Sequence, residues 1–326
     1  MKMSSELICI VGPTAVGKTR LSIEIAKALG GEIINGDAMQ IYRGLDIGTA
    51  KITPAEMNGI PHYLINEKNP DETYSVAEFQ TIVREKIEEV KARKRLPILV
   101  GGTGLYVKSV LYDYEFSGPP GDGQSKTTSN ENDALTNEEL HAKLMVVDPE
   151  EAKNVHPNNR KRVIRALEIF ETSGVKKSVA IAKQDRKLLY DVKLIGLTDE
   201  REVLYARINA RVDAMLESGL IDEVRKLYKL GIPKEAQAMQ AIGYKELYGN
   251  FAGETSLEVA IELIKRNSRR LAKRQYTWFR NQMDVTWFDV DVDNFGQTIA
   301  EVRKWLGETS DVSTTNPNLK SSHLWG

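Results

Sequence analysis

The sequence predicts an α/β fold, a parallel sheet with helices on both faces that carries a mainly helical insertion. Three observations predict it. Short apolar runs alternate with segments of helical periodicity over roughly the first hundred residues. The first run, Leu7–Val11, leads directly into Gly12-Pro13-Thr14-Ala15-Val16-Gly17-Lys18-Thr19 and then a helix-like segment. The alternation stops at Ser117 and resumes only near Val192, so the intervening chain projects from the sheet.

Taken in order, Leu7–Val11 reads as a buried strand, and Lys18–Leu29 as a helix with apolar residues on one face. Strands are expected at Glu32–Asn35, around His62–Ile65 and at Pro97–Val100, the last ending at Gly101-Gly102. A helix is expected from Ser75 to Arg93, with Ser75 and Glu78 as a capping box. Ser117–Ala134 contains no large apolar residue before Ala134 and is expected to be a mobile loop. One helical stretch is expected from about Asn137 to Ala182, a returning strand at Val192–Leu197, and a last strand at Val285–Val290 before a helix to about Leu306. The expected domains are residues 1–116 as the first part of the core, 117–184 as the helical insertion, 185–306 as the second and mostly helical part, and 307–326 as a disordered tail.

The composition suits a globular cytoplasmic protein: of 326 residues, 41% are hydrophobic and 28% charged. Cys9, the single cysteine, lies inside the first strand and cannot form an internal disulfide; the four histidines lack zinc-like spacing. No run approaches the ~20 apolar residues of a membrane span, and the N-terminus lacks a signal-peptide apolar region. A monomer is expected, because no helix shows an unexplained apolar stripe.

The Gly12–Thr19 segment fits G-x-x-x-x-G-K-[ST] between a strand and a helix, which makes it a P-loop and the core P-loop NTPase-like. Its glycines let the amides of residues such as Thr14, Ala15, Val16 and Gly17 close around phosphate oxygens. Lys18 adds a positive charge, and Thr19 is a candidate Mg²⁺ ligand. An ATPase or kinase normally has an acid after another strand to support the metal. Here Pro97–Val100 runs into Gly101-Gly102-Thr103-Gly104 without one, and the acid at a strand's end is Asp37. Ligands of open α/β sheets bind at these ends, so Asp37 and Thr103 should face the phosphate site.

A second signal is independent of the first. On a helical wheel Lys265, Arg266, Arg269, Arg270, Lys273 and Arg274 occupy one half, and Ile261, Ile264, Leu271, Trp278 and Phe279 the other. Like charges crowded on one face point to a polyanion such as nucleic acid. Arg160, Lys161, Arg162 and Arg165 form a second basic cluster, opposite Val163, Ile164, Leu167 and Phe170.

Gly12–Thr19, Asp37–Lys51, Gly101–Tyr106, His156–Asn158 through Arg165–Glu168, Gln240–Tyr244 and Ala272–Gln275 together resemble the tRNA dimethylallyltransferases, also called tRNA isopentenyltransferases. The blocks occur in that family's order over roughly residues 7 to 290. The resemblance implies transfer of a dimethylallyl group from dimethylallyl diphosphate to N6 of the adenosine directly 3′ of the anticodon, in tRNAs reading codons that begin with U. It implies Asp37 as general base, Thr103 near the reacting centre and Arg211 on the diphosphate, with Mg²⁺ on Thr19. It implies tRNA contacts, centred on the anticodon stem-loop, at Asp37, Ala38, Met39 and Gln40, at Lys161, Arg162, Val163, Ile164 and Arg165, at Gln240, Ala241, Ile242, Gly243 and Tyr244, and at Lys273 and Arg274. The target base must leave its stack, so flipping into a channel lined by Asp37–Gln40 and Gln240–Tyr244 is expected. The family usually has serine where this chain has Ala38, so that hydroxyl is missing. No Cys/His cluster marks a C-terminal zinc finger, which suits the bacterial form. Three other readings remain open: a P-loop small-molecule or nucleotide kinase, an adenylate isopentenyltransferase acting on free nucleotide, and a non-enzymatic RNA-binding P-loop protein.

Overall fold

The computed structural model describes residues 5–116, 132, 134–182 and 187–307. The segment read as a mobile loop, 117–134, lies outside these apart from Asn132 and Ala134, and so does the tail beyond residue 307. The chain divides into two compact units: one of Met1–Tyr74, Thr81–Lys108 and Tyr190–Gly326, the other of Ser75–Gln80 and Ser109–Leu189.

The first unit is built on a six-stranded sheet: β1 Leu7–Val11, β2 Gly31–Asn35, β3 His62–Tyr63, β4 Leu96–Gly101, β5 Val192–Thr198 and β6 Thr286–Asp289, in the order β3-β2-β4-β1-β5-β6. Every pairing is parallel. β1 lies between β4 and β5 and is fully buried from Leu7 to Val11, which is why it is apolar at every position and does not alternate. The edge strands are short and partly exposed: β3 keeps two residues of the four expected, and β6 spans Thr286–Asp289.

Helix α1, Lys18–Leu29, starts after Gly17 and stops at Gly30, both in the left-handed region. Helix α2, Val76–Ala92, is capped by Ser75, whose hydroxyl accepts from the Glu78 amide. Helix α3, Gly104–Leu111, follows β4. Apart from β5 and β6, the second half of the unit is largely helical.

The insertion's single predicted helical stretch is four helices: α4 Asn137–Val147, α5 Pro149–Asn154, α6 Arg160–Ser173 and α7 Lys177–Ala182. The breaks have local causes. Asp148 and Pro149 restart the chain between α4 and α5, and Gly174 adopts the left-handed conformation after α6. Leu140, Leu144, Ala152, Val155, Val163, Ala166 and Leu167 form this unit's core. Where the chain enters and leaves, the Leu189 amide donates to Leu111 O and the Asp113 amide to Lys187 O.

Asp148, 1% exposed, holds three of these pieces together. One carboxylate oxygen accepts from the Glu151 amide and the Ser178 hydroxyl, and the other from the Ser178 amide. Burial opposes its charge, but the Ser178 and Glu151 bonds prevail and hold the carboxyl below its usual range. A depressed pKa contributes stability above the unfolded value near ~4, and this is lost as pH falls through the folded value. Asp148→Ala should therefore cost about 1–3 kcal/mol at pH 7, read by denaturant titration. The difference between variant and unaltered chain should shrink on acidification below ~4.

Candidate functional site

The site is assembled where β1, β2 and β4 end. Gly12 (φ 145°) and Gly17 (φ 103°) take backbone conformations closed to other residues without strain, and Ala15 (φ 64°) joins them. A Cβ on Gly12 would stand 2.6 Å from the Leu197 carbonyl oxygen of β5, so the loop is pressed onto the sheet. Lys18 folds over it, its ammonium donating to the carbonyls of Gly12 (3.0 Å) and Pro13 (2.7 Å).

β2 and β4 exit in backbone contact. The Gly36 amide donates to Val100 O at 2.7 Å, and a Cβ on Gly101 would lie 2.3 Å from Gly36 O. This brings the Thr103 hydroxyl to the Ala38 amide, which donates to it at 3.3 Å. Asp37 is set by its own loop: its amide donates to Asn35 Oδ1 (3.1 Å), and its Oδ1 accepts from the Met39 amide (2.9 Å). Asn35 also donates to Asp37 O and Leu64 O.

Arg211 comes from helix α8, Arg201–Glu217. Burial, then the like charge of Arg211, push the Lys18 ammonium down to about 8, against the attraction of Asp37. Burial likewise lowers Arg211, with Asp37 opposing and Arg207 adding to the shift. The three charged groups thus feel one another's fields, and Lys18, Asp37, Thr103 and Arg211 are each half-buried. Two cations around one carboxylate leave the pocket net positive, a suitable electrostatic setting for a diphosphate.

Gln275 joins two parts of the site. From the long helix α9, Leu257–Gln282, its Oε1 accepts from the Thr14 amide (2.8 Å) and its Nε2 donates to Gly102 O (3.0 Å). A polar residue on the face that also carries Ile264 and Phe279 was the available signal. Trp278 packs on Gly104, where a Cβ would come within 2.1 Å of its ring, so its role is packing.

The basic face of α9 is divided. Lys265 pairs with Asp213 at 2.6 Å and Arg269 donates to Asn209, which ties α9 to α8. Arg266, Arg270, Lys273 and Arg274 are exposed, and no ion pair engages them among the described residues. Six charges on one face therefore reduce to four that can meet a polyanion.

The second basic cluster needs a similar correction. Arg160 donates to the carbonyls of Asn132 and Leu135 and anchors the chain before α4, and Arg165 pairs with Glu168. Val163 is fully buried in the unit's core, so its side chain is not placed to meet RNA, and Ile164 is half-buried against that core. Lys161 and Arg162 are exposed.

The segment Gln240–Tyr244 joins a 3₁₀ turn, Gln237–Gln240, to the helix Tyr244–Phe251. Gln240 is exposed and its side-chain amide donates to Lys234 O; Ile242 is half-buried. Ala241 is 8% exposed and Tyr244 fully buried, so the Tyr244 ring is a support and not a wall. Gly243 (φ 97°) turns the chain into that helix.

The IPP transferase family profile matches residues 40–282. The tRNA dimethylallyltransferase of Bacillus cytotoxicus is 56% identical over 97% of this chain and 99% of its own, and that of Bacillus cereus 57% over 94% and 96%. Among solved structures, the full-length tRNA isopentenylpyrophosphate transferase of Bacillus halodurans matches with TM-score 0.69 and 50% identity, covering 93% of this chain and 96% of that one. A eukaryotic dimethylallyltransferase acting on tRNA matches with TM-score 0.76 and 30% identity, over 92% and 77%. With this coverage and identity, the chain belongs to the IPP transferase family, the tRNA dimethylallyltransferases.

Proposed function

We propose that the chain transfers the dimethylallyl group of dimethylallyl diphosphate to N6 of the adenosine 3′-adjacent to the anticodon, in tRNAs reading codons that begin with U. The observation that carries this reading is the meeting of Lys18 and Arg211 with Asp37 and Thr103 at the ends of β1, β2 and β4. A site built for phosphoryl transfer would pair its P-loop with a metal-holding acid after β4, where this chain has Gly101-Gly102-Thr103-Gly104.

The adenine amino group is a weak nucleophile, because its lone pair is delocalised into the ring. Its nitrogen attacks the allylic carbon, the carbon–oxygen bond to the diphosphate breaks, and the amine proton passes to the Asp37 carboxylate. The electron pair of the broken bond stays on the diphosphate, where Lys18, Arg211 and the loop amides stabilise it. Thr103, holding the Ala38 amide, fixes the Asp37 loop against β4 and places a hydroxyl beside the reacting groups. Ala38, 6% exposed, fills its position with a buried methyl, so the base acts without a neighbouring hydroxyl there.

The donor set suits a Mg²⁺ that arrives with the diphosphate. Among the described residues no group of three or more His, Cys, Asp or Glu forms a metal cage, and Mg²⁺ commonly binds through one or two protein groups plus phosphates and water. Thr19, second residue of α1, would hold it. Bound there, the ion would supply charge neutralisation to the leaving diphosphate.

RNA is engaged through Arg266, Arg270, Lys273 and Arg274 on α9, through Lys161 and Arg162 on α6, and through the segments at residues 37–40 and 240–243. The same reading takes the protein to act as a monomer. Among the described residues no helix is long and apolar enough to cross a membrane.

The first test mixes the protein with Mg²⁺, labelled dimethylallyl diphosphate and an unmodified anticodon stem-loop. Label should appear on the adenosine 3′ of the anticodon; its absence from a folded, RNA-binding protein would sink the transferase reading. Asp37→Asn keeps an acceptor for the Met39 amide but removes the base. It should lower kcat by ~10²–10⁴ with pyrophosphate binding retained.

Anion binding should also depend on pH. Lys18 in the free protein loses its proton through about 8, so pyrophosphate affinity should fall as pH rises from 7 to 9. Calorimetry should show that dependence flattened in Lys18→Gln. Finally, Arg266→Gln and Arg270→Gln should each reduce the salt slope of RNA binding by about 1. Lys265→Gln and Arg269→Gln should leave that slope in place and lower thermal stability instead.

A further inference from the structure

Glu223 stands outside every group invoked so far. It lies in the first turn of the helix Leu220–Lys229. One of its carboxylate oxygens accepts from the amides of Asp46 (3.0 Å) and Ile47 (2.8 Å). The other accepts from the Gly48 amide (3.1 Å) and the Tyr244 hydroxyl. Three consecutive backbone donors and a buried phenol thus converge on one side chain, and they come from two segments nearly two hundred residues apart, at 46–48 and 244.

Both segments belong to the acceptor side of the proposed reaction. The first continues the Asp37 loop: Gln40 donates to Thr49 O at 3.1 Å, and the Thr49 hydroxyl donates to Leu45 O. The loop is closed from inside by Lys51, whose ammonium donates to Tyr42 O, Asp46 Oδ1 and Asn66 Oδ1. The second segment carries Gln240–Gly243 directly before Tyr244. The two also touch, since a Cβ on Gly48 would fall 2.5 Å from the Tyr244 ring. Burial, then the charge of Glu223, raise the Tyr244 phenol well above its usual range, so it stays a donor throughout the working pH.

We infer that Glu223 is a positioning residue for prenyl transfer, fixing the distance between the segment that carries Asp37 and Gln40 and the segment that carries Gln240–Gly243. This role rests on the proposed function and deepens it. A carboxylate suits the position because it accepts at both oxygens, whereas a glutamine presents an NH₂ group to one pair of donors. Glu223→Gln therefore sets an N–H against the Gly48 N–H beside the Tyr244 hydroxyl, or against the N–H groups of Asp46 and Ile47, with little change of volume. Glu223 touches none of the P-loop residues in the bonds described, so donor binding should be insensitive to it.

The test uses the full chain with labelled dimethylallyl diphosphate, Mg²⁺ and the anticodon stem-loop. Glu223→Gln should lower kcat/KM for the stem-loop by about 10–100-fold, the loss expected for hydrogen bonds to a charged group. Its dissociation constant for pyrophosphate should stay within about twofold of the unaltered protein, because those donors lie elsewhere. Glu223→Asp, which keeps the charge on a shorter arm, should recover part of the loss. Amide exchange over residues 45–49 should quicken in Glu223→Gln, and this reads the clamp without any turnover. Tyr244→Phe removes one donor and leaves the three amide bonds; it should lower kcat/KM for RNA less than Glu223→Gln does, and it serves should the latter not fold. Unchanged kcat/KM in Glu223→Gln, or in Tyr244→Phe where that variant must stand in, overturns the inference. So does an equal loss of pyrophosphate affinity, which would mark a general loss of structure. If the unaltered protein transfers no label, the functional reading itself fails, a result distinct from either of these.

Discussion

The rest of the site depends on the close backbone approach of three strand ends. β2 and β4 meet through Gly36 and Gly101, with no side chain between them, and the P-loop is pressed onto β5 at Gly12. Larger residues there would move the Asp37 loop away from Thr103 by the width of a side chain. Gln275 and Trp278 then occupy the space above Gly102 and Gly104, so α9 is seated on the same glycines. The glycine run after β4 thus replaces the acid of phosphoryl-transfer enzymes with a contact surface.

That arrangement places a carboxylate close to two cations. The two cations outnumber it, so the pocket offers a bound anion a net attraction. In the proposed reaction that attraction acts on the diphosphate and grows as charge develops on the leaving group.

The core was legible in the sequence because its signals are local. β1 is apolar at each position since neighbours cover both faces, and the P-loop follows it immediately. The insertion was less legible: the turn at Asp148-Pro149 and the Gly174 stop interrupt a periodicity that the core residues continue across. The basic clusters show a different failure. Their charges are plain in the sequence, but Asn209 and Asp213 lie more than fifty residues from the groups they engage, and Arg160 spends its donors on carbonyls. A carbonyl has no signature in a sequence. Gln275 and Glu223 were passed over for the same reason, since their partners are mostly backbone groups.

The division of charge on α9 follows from these partners. Lys265 and Arg269 hold the helix to α8, which carries Arg211, while Gln275 holds it to the P-loop and the β4 turn. The exposed Arg266, Arg270, Lys273 and Arg274 share the basic half of the same helix with Lys265 and Arg269, away from Gln275. These anchors fix the position of the proposed RNA-facing charges relative to the groups around the P-loop. Under the proposed function, this geometry would let a sequence-independent attraction to phosphates deliver the RNA in register with the chemistry, with discrimination left to the segments around Asp37 and Gln240.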